Sequence, residues 1–233
     1  MTDAGFIGVV CGLKSEARMA TRAIGEAGAR IGVSGADAGR AEDIAKAFCA
    51  DGARAIVSLG VSGGLDPALK PGDLLIGETV LAEGGAVWSA DADLLRAVRQ
   101  AAAGIKSVCG PLYGADAVID SAAEKARLFQ AHGALAVDME SHGAARAASG
   151  AGVPFIAIRA VADPADRALP PAALKAVAPD GSTRTLATLG AALRDPKQFP
   201  QLLTLGADSQ AALKTLSRDF GLLFAALTAR LGL

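Results

Sequence analysis

Four carboxylates stand where one segment of the chain gives way to the next, and their type suits proton transfer. Asp138 and Glu140 flank Met139 in Val137-Asp138-Met139-Glu140. Asp163 follows the run Phe155-Ile156-Ala157-Ile158-Arg159-Ala160-Val161-Ala162 and precedes Pro164. Glu16 lies shortly after the first apolar run, Phe6 to Cys11. Carboxylates around a neutral pocket suit acid–base work on a polyol or sugar. A carboxylate past the end of a core strand also sits where α/β folds place chemistry. Plainer readings stand beside these. An aspartate before proline caps turns, and a glutamate in a first helical turn complements the helix dipole.

Gly60-Val61-Ser62-Gly63-Gly64 is the next chemical signal. Glycines at this density let backbone N–H groups, that of Gly63 included, approach a ligand; a tight turn is the alternative. The pattern also fits the G-x-S-x-G of serine hydrolases. That motif needs a helix after the serine and an acid and histidine in order beyond it. Here Lys70-Pro71-Gly72-Asp73 and another strand follow, and the only histidines are His132 and His142. Rescue by Asp116 or Asp120 with His132 would still leave no helix after Ser62. The context therefore fails. No G-x-G-x-x-G follows the first strand, no phosphate-binding G-x-x-x-x-G-K-[ST] occurs, and His and acids show no metal-ligand spacing. Neither a metal nor an organic cofactor is expected.

Composition narrows the class. The chain has 233 residues, 52% of them hydrophobic, enough for one large α/β core or two smaller ones. A net charge of −1 without a basic block, and 4% aromatics, argue against nucleic acid as a partner. Cys11, Cys49 and Cys109 are odd in number and scattered, which reads as buried thiols in a reducing compartment. The start MTDAGFIGVVCG reads as a strand and not a signal peptide. No run of about 18 uncharged apolar residues suggests a membrane span. A cytoplasmic protein is expected.

The segments that must position these residues alternate. Strands are predicted at Phe6–Cys11, Arg30–Gly35, Ala53–Leu59, Leu74–Val80, Tyr113–Asp120, Ala134–Val137 and from Phe155. Helices are predicted at Lys14–Ala27 with Ser15 as cap, Asp37–Ala50, Ala90–Ala103, Ser121–Ala131 and Ser141–Ser149. The last is Ala-rich and suited to close packing, and Gly150-Ala151-Gly152 ends it. Trp88 reads as a core anchor or a pocket wall. Such alternation implies a mainly parallel sheet covered on both faces. Beyond Asp163, Leu169-Pro170-Pro171, Pro179-Asp180-Gly181 and Phe199-Pro200 break the chain. Helices are predicted between and after them at Thr183–Leu193, Gln201–Leu205 and Asp208–Leu231. One domain over residues 1–233 is expected, with a helical elaboration from about Leu169. The apolar surface of its last helix suits a core or dimer face.

Five blocks together resemble the nucleoside phosphorylase and nucleosidase superfamily, especially methylthioadenosine/S-adenosylhomocysteine nucleosidases. They are Gly12 through Glu16, GVSGGLDPALKPGD (Gly60 to Asp73), ADAVID (Ala115 to Asp120), VDMESHGAARAA (Val137 to Ala148) and RAVADPAD (Arg159 to Asp166). The nearest subgroup is the hopanoid-associated phosphorylases, whose GLKSEAR, VSGAD and RAVADPADRALPP-like stretches resemble Gly12 to Arg18, Val33 to Asp37 and Arg159 to Pro171.

The resemblance implies a three-layer α/β fold with a mixed central sheet, and cleavage of the N-glycosidic bond of an adenosyl-type nucleoside. It makes Asp163 the acid at N7 of the leaving purine and Glu140 the holder of the ribose hydroxyls. Met139 would pack on the sugar. Ile119 would meet the base through its backbone, and Val118 replaces an aromatic that often stacks there. Glu16 would activate the attacking water. Val61 stands where a Ser or Thr often touches the nucleophile, so Ser62 would have to supply the hydroxyl. Related phosphorylases hold phosphate with two arginines, and here those positions are Glu16 and Ser58; Lys14, Arg18 or Arg40 would have to compensate. Water is therefore the expected nucleophile and phosphate the alternative. A non-catalytic purine-nucleoside-binding protein is the reading from another class. The expected partners are a nucleoside with a hydrophobic 5′-substituent and a second copy of the chain.

Overall fold

The computed structural model describes residues 5–25, 28–173, 178–182 and 198–233. In chain order it runs β1 (Phe6–Cys11), α1 (Lys14–Ile24), β2 (Ala29–Val33), α2 (Ala38–Ala50), β3 (Ala53–Gly64), β4 (Leu74–Ala82), β5 (Val87–Ser89), α3 (Ala92–Ala101), β6 (Ser107–Gly114), α4 (Ala122–His132), β7 (Ala136–Asp138), α5 (Ser141–Ala151), β8 (Phe155–Asp163) and α6 (Phe199–Leu231). The eight strands form one mixed sheet. β2, β1, β3 and β8 are parallel neighbours. β8 then pairs antiparallel with β4, β4 and β7 each run parallel to β6, and β7 returns antiparallel to β3. β3, β8, β4, β6 and β7 thus close into a ring. β2 and β5 are left as the outer strands.

Burial on both faces explains why the core strands read as apolar runs instead of alternating patterns. α1, α3 and α6 bury Met19, Leu94, Val98, Leu216, Phe220 and Leu223 against one face, with Ile7, Val9 and Ile158. α2 and α5 bury Ala41, Ala45, Ala144 and Ala148 against the other, with Val10, Ile56 and Ala157. The three-layer α/β architecture is the expected one.

Local departures have local causes. α1 is not capped by Ser15: Leu13 holds the N-cap position, and Glu16 reaches back to its N–H. Gly25, at φ 69°, ends that helix three residues earlier than expected. The glycine segment is not a loop, since β3 runs on through Gly64. The strand expected at Tyr113–Asp120 lies earlier, at Ser107–Gly114, and the three-residue β5 was not foreseen. Trp88 sits in β5 and packs on the α2/α5 core. The expected helices Gln201–Leu205 and Asp208–Leu231 are one helix, α6. Pro200 sits in its first turn, where no N–H is needed. Gly206 costs only about 1 kcal/mol in a helix interior, which the buried face downstream outweighs. The helix expected at Thr183–Leu193 lies outside the described residues. Cys11 is buried as expected, whereas Cys49 and Cys109 are half-exposed; all three are free thiols. Among the described residues no helix is long and apolar enough to cross a membrane.

The Ala-rich α5 lies close against α2. A Cβ added at Gly143 would overlap the carbonyl oxygen of Ala38, whereas one at Gly150 would meet nothing within 4 Å. Gly143→Ala is expected to destabilise the fold by about 1–3 kcal/mol through overpacking. Gly150→Ala, on the same helix, should be neutral or slightly stabilising. Denaturant midpoints measure both, and equal midpoints would show that the two helices can part freely.

Candidate active site

The sheet sets the site by where its strands end. β1, β3 and β8 run parallel, and at their carboxyl ends lies a cavity of about 480 Å³. A register shift sits between Ser62 and Gly63, where β3 advances one residue while β8 advances two. Such a bulge re-aims a side chain. Here it brings Asp163 opposite Gly63, whose missing Cβ would lie 3.3 Å from Asp163 Oδ2. Glycine is required along this edge for room, not for a turn. A Cβ at Gly60 would lie 2.8 Å from Glu16 Oε1, and one at Gly12 would overlap Glu140 Oε1.

All nine residues expected at the site line this cavity: Glu16, Val61, Ser62, Gly63, Val118, Ile119, Met139, Glu140 and Asp163. They come from α1, β3, the segment after β6, the β7–α5 junction and the end of β8. Leu169, Ala178, Pro179 and, from α6, Leu205 add apolar wall. Ser62 Oγ is buried without a hydrogen-bond partner among the described residues, so none of them activates it as a hydrolase serine.

The carboxylates differ in environment. Asp138 is fully engaged. Its Oδ1 accepts the N–H groups of Glu140 (2.9 Å) and Ser141 (2.8 Å), and its Oδ2 accepts Ser141 Oγ (2.5 Å) and Arg159 Nε (2.8 Å). Burial pushes its carboxyl up, but Arg159 and the hydrogen bonds of Ser141 and Glu140 outweigh burial and hold it below the usual range. Asp138 thus anchors the start of α5 and offers nothing to a ligand. Glu16 Oε1 accepts the Val61 N–H and Oε2 the Leu13 N–H, each at 2.8 Å. Burial raises its pKa against those hydrogen bonds. Burial first, then the neighbouring Asp138 charge, raises Glu140 to about 8 in spite of Arg159, whose Nη2 stands 3.6 Å from Glu140 Oε2. Burial also raises Asp163, against the pull of Lys125.

Two basic residues of this site escaped sequence reading. Arg159 is fully buried in β8 and binds Asp138, Ser58 Oγ (2.7 Å) and Ser141 Oγ (2.9 Å). Lys125, on α4, is fully buried and ion-paired to Asp163 Oδ2. A charge inside an apolar strand, or on the buried stripe of a helix with Leu128, demands a partner. That demand was the available signal. Of the cations proposed to replace phosphate-binding arginines, only Arg40 lines this cavity among the described residues. Lys14 instead pairs with Asp180 at 2.6 Å.

A family model described as the phosphorylase superfamily matches residues 8–194. The fold resembles a Colwellia psychrerythraea 34H 5′-methylthioadenosine/S-adenosylhomocysteine nucleosidase in complex with adenine. The TM-score is 0.72 at 17% identity, over 96% of both chains. The Helicobacter pylori nucleosidase of the same name, with butyl-thio-DADMe-Immucillin-A, gives 0.68 at 16% identity over 93% of this chain and 97% of that one. Futalosine hydrolase of Helicobacter pylori gives 0.62 at 19% identity, covering 68% of this chain and 88% of that one.

The raised Glu140 has a consequence for stability. A carboxyl titrating near 8 when folded and near 4.5 when unfolded makes folding bind a proton between those values. Its contribution is complete below about pH 4.5 and lost as pH rises through about 8. Glu140→Gln cannot titrate, so its Tm should gain on the parent's steadily from pH 5 to 8 and then level off. Each kcal/mol moves Tm by roughly 2–4 °C in a chain of this size. Melting curves across that range check this; a pH-independent gap would mean Glu140 titrates normally.

Proposed function

Because the chain belongs to the phosphorylase superfamily, we propose that it cleaves the N-glycosidic bond of an adenosyl-type nucleoside, releasing adenine, with water as nucleophile. One observation carries this reading: three buried carboxyls of raised pKa, Glu16, Glu140 and Asp163, line a single cavity whose remaining wall is largely apolar. Bond cleavage builds positive charge on the ribose and negative charge on the departing base. Asp163 protonates N7 of the base, and its raised pKa favours the protonated form. Glu140 holds the ribose hydroxyls, with Met139 against the sugar, while Ile119 and Val118 face the base. Glu16 takes a proton from the attacking water. A base titrating nearer the working pH is better matched to that task than an ordinary carboxylate. The resemblance to nucleosidases that bind adenine and an Immucillin inhibitor supports the substrate class.

Electrostatics favours water over phosphate. A phosphate dianion 4 Å from one ionised carboxylate is repelled by about 4 kcal/mol per charge pair at an effective dielectric of about 20. Ser58, at the position of a phosphate-binding arginine, does have a guanidinium beside it, but Arg159 is spent on Asp138 and the two serines. One observation favours the phosphorolytic alternative: Arg40 lines the cavity, and although its Nη2 donates to the Gly35 carbonyl and its Nε stands 3.9 Å from Asp37 Oδ1, that Nε has no hydrogen-bond partner among the described residues.

The finer reading is a hydrophobic 5′-substituent, of which adenosylhopane is the example suggested by the resemblance to hopanoid-associated phosphorylases. The apolar wall of Leu13, Leu169, Ala178 and Leu205 supports it. A homodimer is the proposed assembly, as the commonest for such chains; Phe199 and Leu203 on α6 are exposed apolar residues suited to an interface.

The test follows adenine release from methylthioadenosine, adenosylhomocysteine and an adenosyl lipid, with and without phosphate, and identifies the sugar by mass. Activity without phosphate and a free ribose product are expected. Strict dependence on phosphate with a ribose 1-phosphate product would move the reading to phosphorolysis. No adenine under either condition would leave the binding-protein reading. Asp163→Asn should keep the fold and lose about 10²-fold or more in turnover; near-normal release would remove Asp163 from the mechanism.

A further inference from the structure

Lys125 is the one fully buried ammonium among the described residues. Its Nζ has three donors and three acceptors: Asp163 Oδ2, the Pro164 carbonyl at 3.0 Å and the Arg167 carbonyl at 3.0 Å. No donor is left over for a ligand. Asp163 Oδ1, by contrast, receives no hydrogen bond from the described residues, and Asp163 lines the cavity. The carboxylate therefore has one oxygen on the amine and one free. The other charges around it are Arg167, after β8, and Asp208 on α6, and these are paired with each other. Burying a lysine costs several kcal/mol of desolvation, and an apolar side chain would fill the same place on α4 more cheaply.

We propose that Lys125 is a positioning residue that holds Asp163 and replaces, on Oδ2, the proton Asp163 gives to the leaving base. The proposal rests on the nucleosidase reading above. Asp163 enters the step protonated on Oδ1; as the C1′–N9 bond breaks, its electron pair passes to the purine and N7 takes that proton. Asp163 Oδ2 takes one from Lys125 Nζ, leaving a neutral amine. Glu16 meanwhile holds the proton lost by water. Once adenine departs, solvent entering the cavity returns a proton to the amine through Asp163 and removes one from Glu16. Protons then balance over the cycle, and Asp163 is left ready for the next turnover. The carbonyls of Pro164 and Arg167 hold the amine in line.

Lys125→Met and Lys125→Gln test this. Glutamine retains an N–H donor for the two carbonyls and cannot transfer a proton at neutral pH. Two substrates are compared: methylthioadenosine, whose base needs a proton, and 4-nitrophenyl β-D-ribofuranoside, whose phenolate leaves without one. Both variants should release adenine about 10²-fold more slowly. Against the nitrophenyl riboside both should stay within about threefold of the parent, since only the proton-dependent step has lost its support. The double variant Lys125→Met with Asp163→Asn should be no slower on methylthioadenosine than Asp163→Asn alone, as groups acting in one step are not additive. Undiminished adenine release, equal losses on both substrates, or additive losses in the double variant would each overturn the proposal and leave the nucleosidase reading standing. Melting curves check folding. If Met unfolds the chain, Gln decides; unfolding of both would assign the amine to the fold and overturn the proposal. A parent that releases no adenine would instead sink the nucleosidase reading itself.

Discussion

The site is assembled around the guanidinium of Arg159. It is buried inside the sheet, and such a charge is tolerable only when its hydrogen bonds are met in good geometry. Asp138 meets it from the end of β7, Ser141 from the start of α5, and Ser58 from β3. Removing one partner of such a pair typically costs 3–5 kcal/mol, because the other charge is stranded. The network therefore locks four elements into one register, and those elements carry Val61, Met139, Glu140 and Asp163. It also leaves an imbalance: Glu16, Asp138 and Glu140 face a single cation. Asp138 takes most of its benefit and is held low, while burial raises Glu16 and Glu140 against the cation's pull.

Chemistry is divided by element. Glu16 belongs to a helix start and is held by two backbone N–H groups, so it is oriented by the chain itself. Asp163 belongs to a strand end and is oriented by a side chain from another helix, Lys125. One carboxylate has only neutral dipoles on it, the other an ammonium. Burial raises the proton affinity of both carboxyls, opposed by backbone dipoles at Glu16 and by the Lys125 ammonium at Asp163. Leu13, Val61, Val118, Ile119, Val137 and Met139 line the cavity beside the carboxyls, and Leu169, Ala173, Ala178, Pro179 and Leu205, after β8, extend its apolar wall.

The layers, most strands and the cavity-lining residues were legible in the sequence, because each announces itself within a few residues. Val137-Asp138-Met139-Glu140 sits at a strand-to-helix junction, and Asp163 at the end of an apolar run. What escaped notice joins distant positions. Lys125 meets Asp163 38 residues on, and Arg159 meets Ser58 101 residues back. No local pattern encodes such pairs. Glycines misled in the other direction. Gly60, Gly63 and Gly64 read as a loop approaching a ligand, or else a tight turn, yet they lie in a strand and serve to admit Glu16, Val137 and Asp163 at close range. Pro200 and Gly206 read as helix breaks, but one falls where helices accept proline and the other lies in a helix secured by its buried half.

The closed ring of strands also dictates an order of assembly. β3 and β4 are separated by only a short turn in sequence, yet in the sheet β8 lies between them. Both therefore wait, with unpaired edges, until a segment some 70 to 100 residues later is in place. Contacts of such separation must pay loop closure before they return anything, and they slow folding. The strand that arrives last carries Arg159 and Asp163. Insertion of β8 completes the charge network, the cavity closes only once Leu169, Ala178 and Leu205 follow, and open β edges are the hazard of the interval before it.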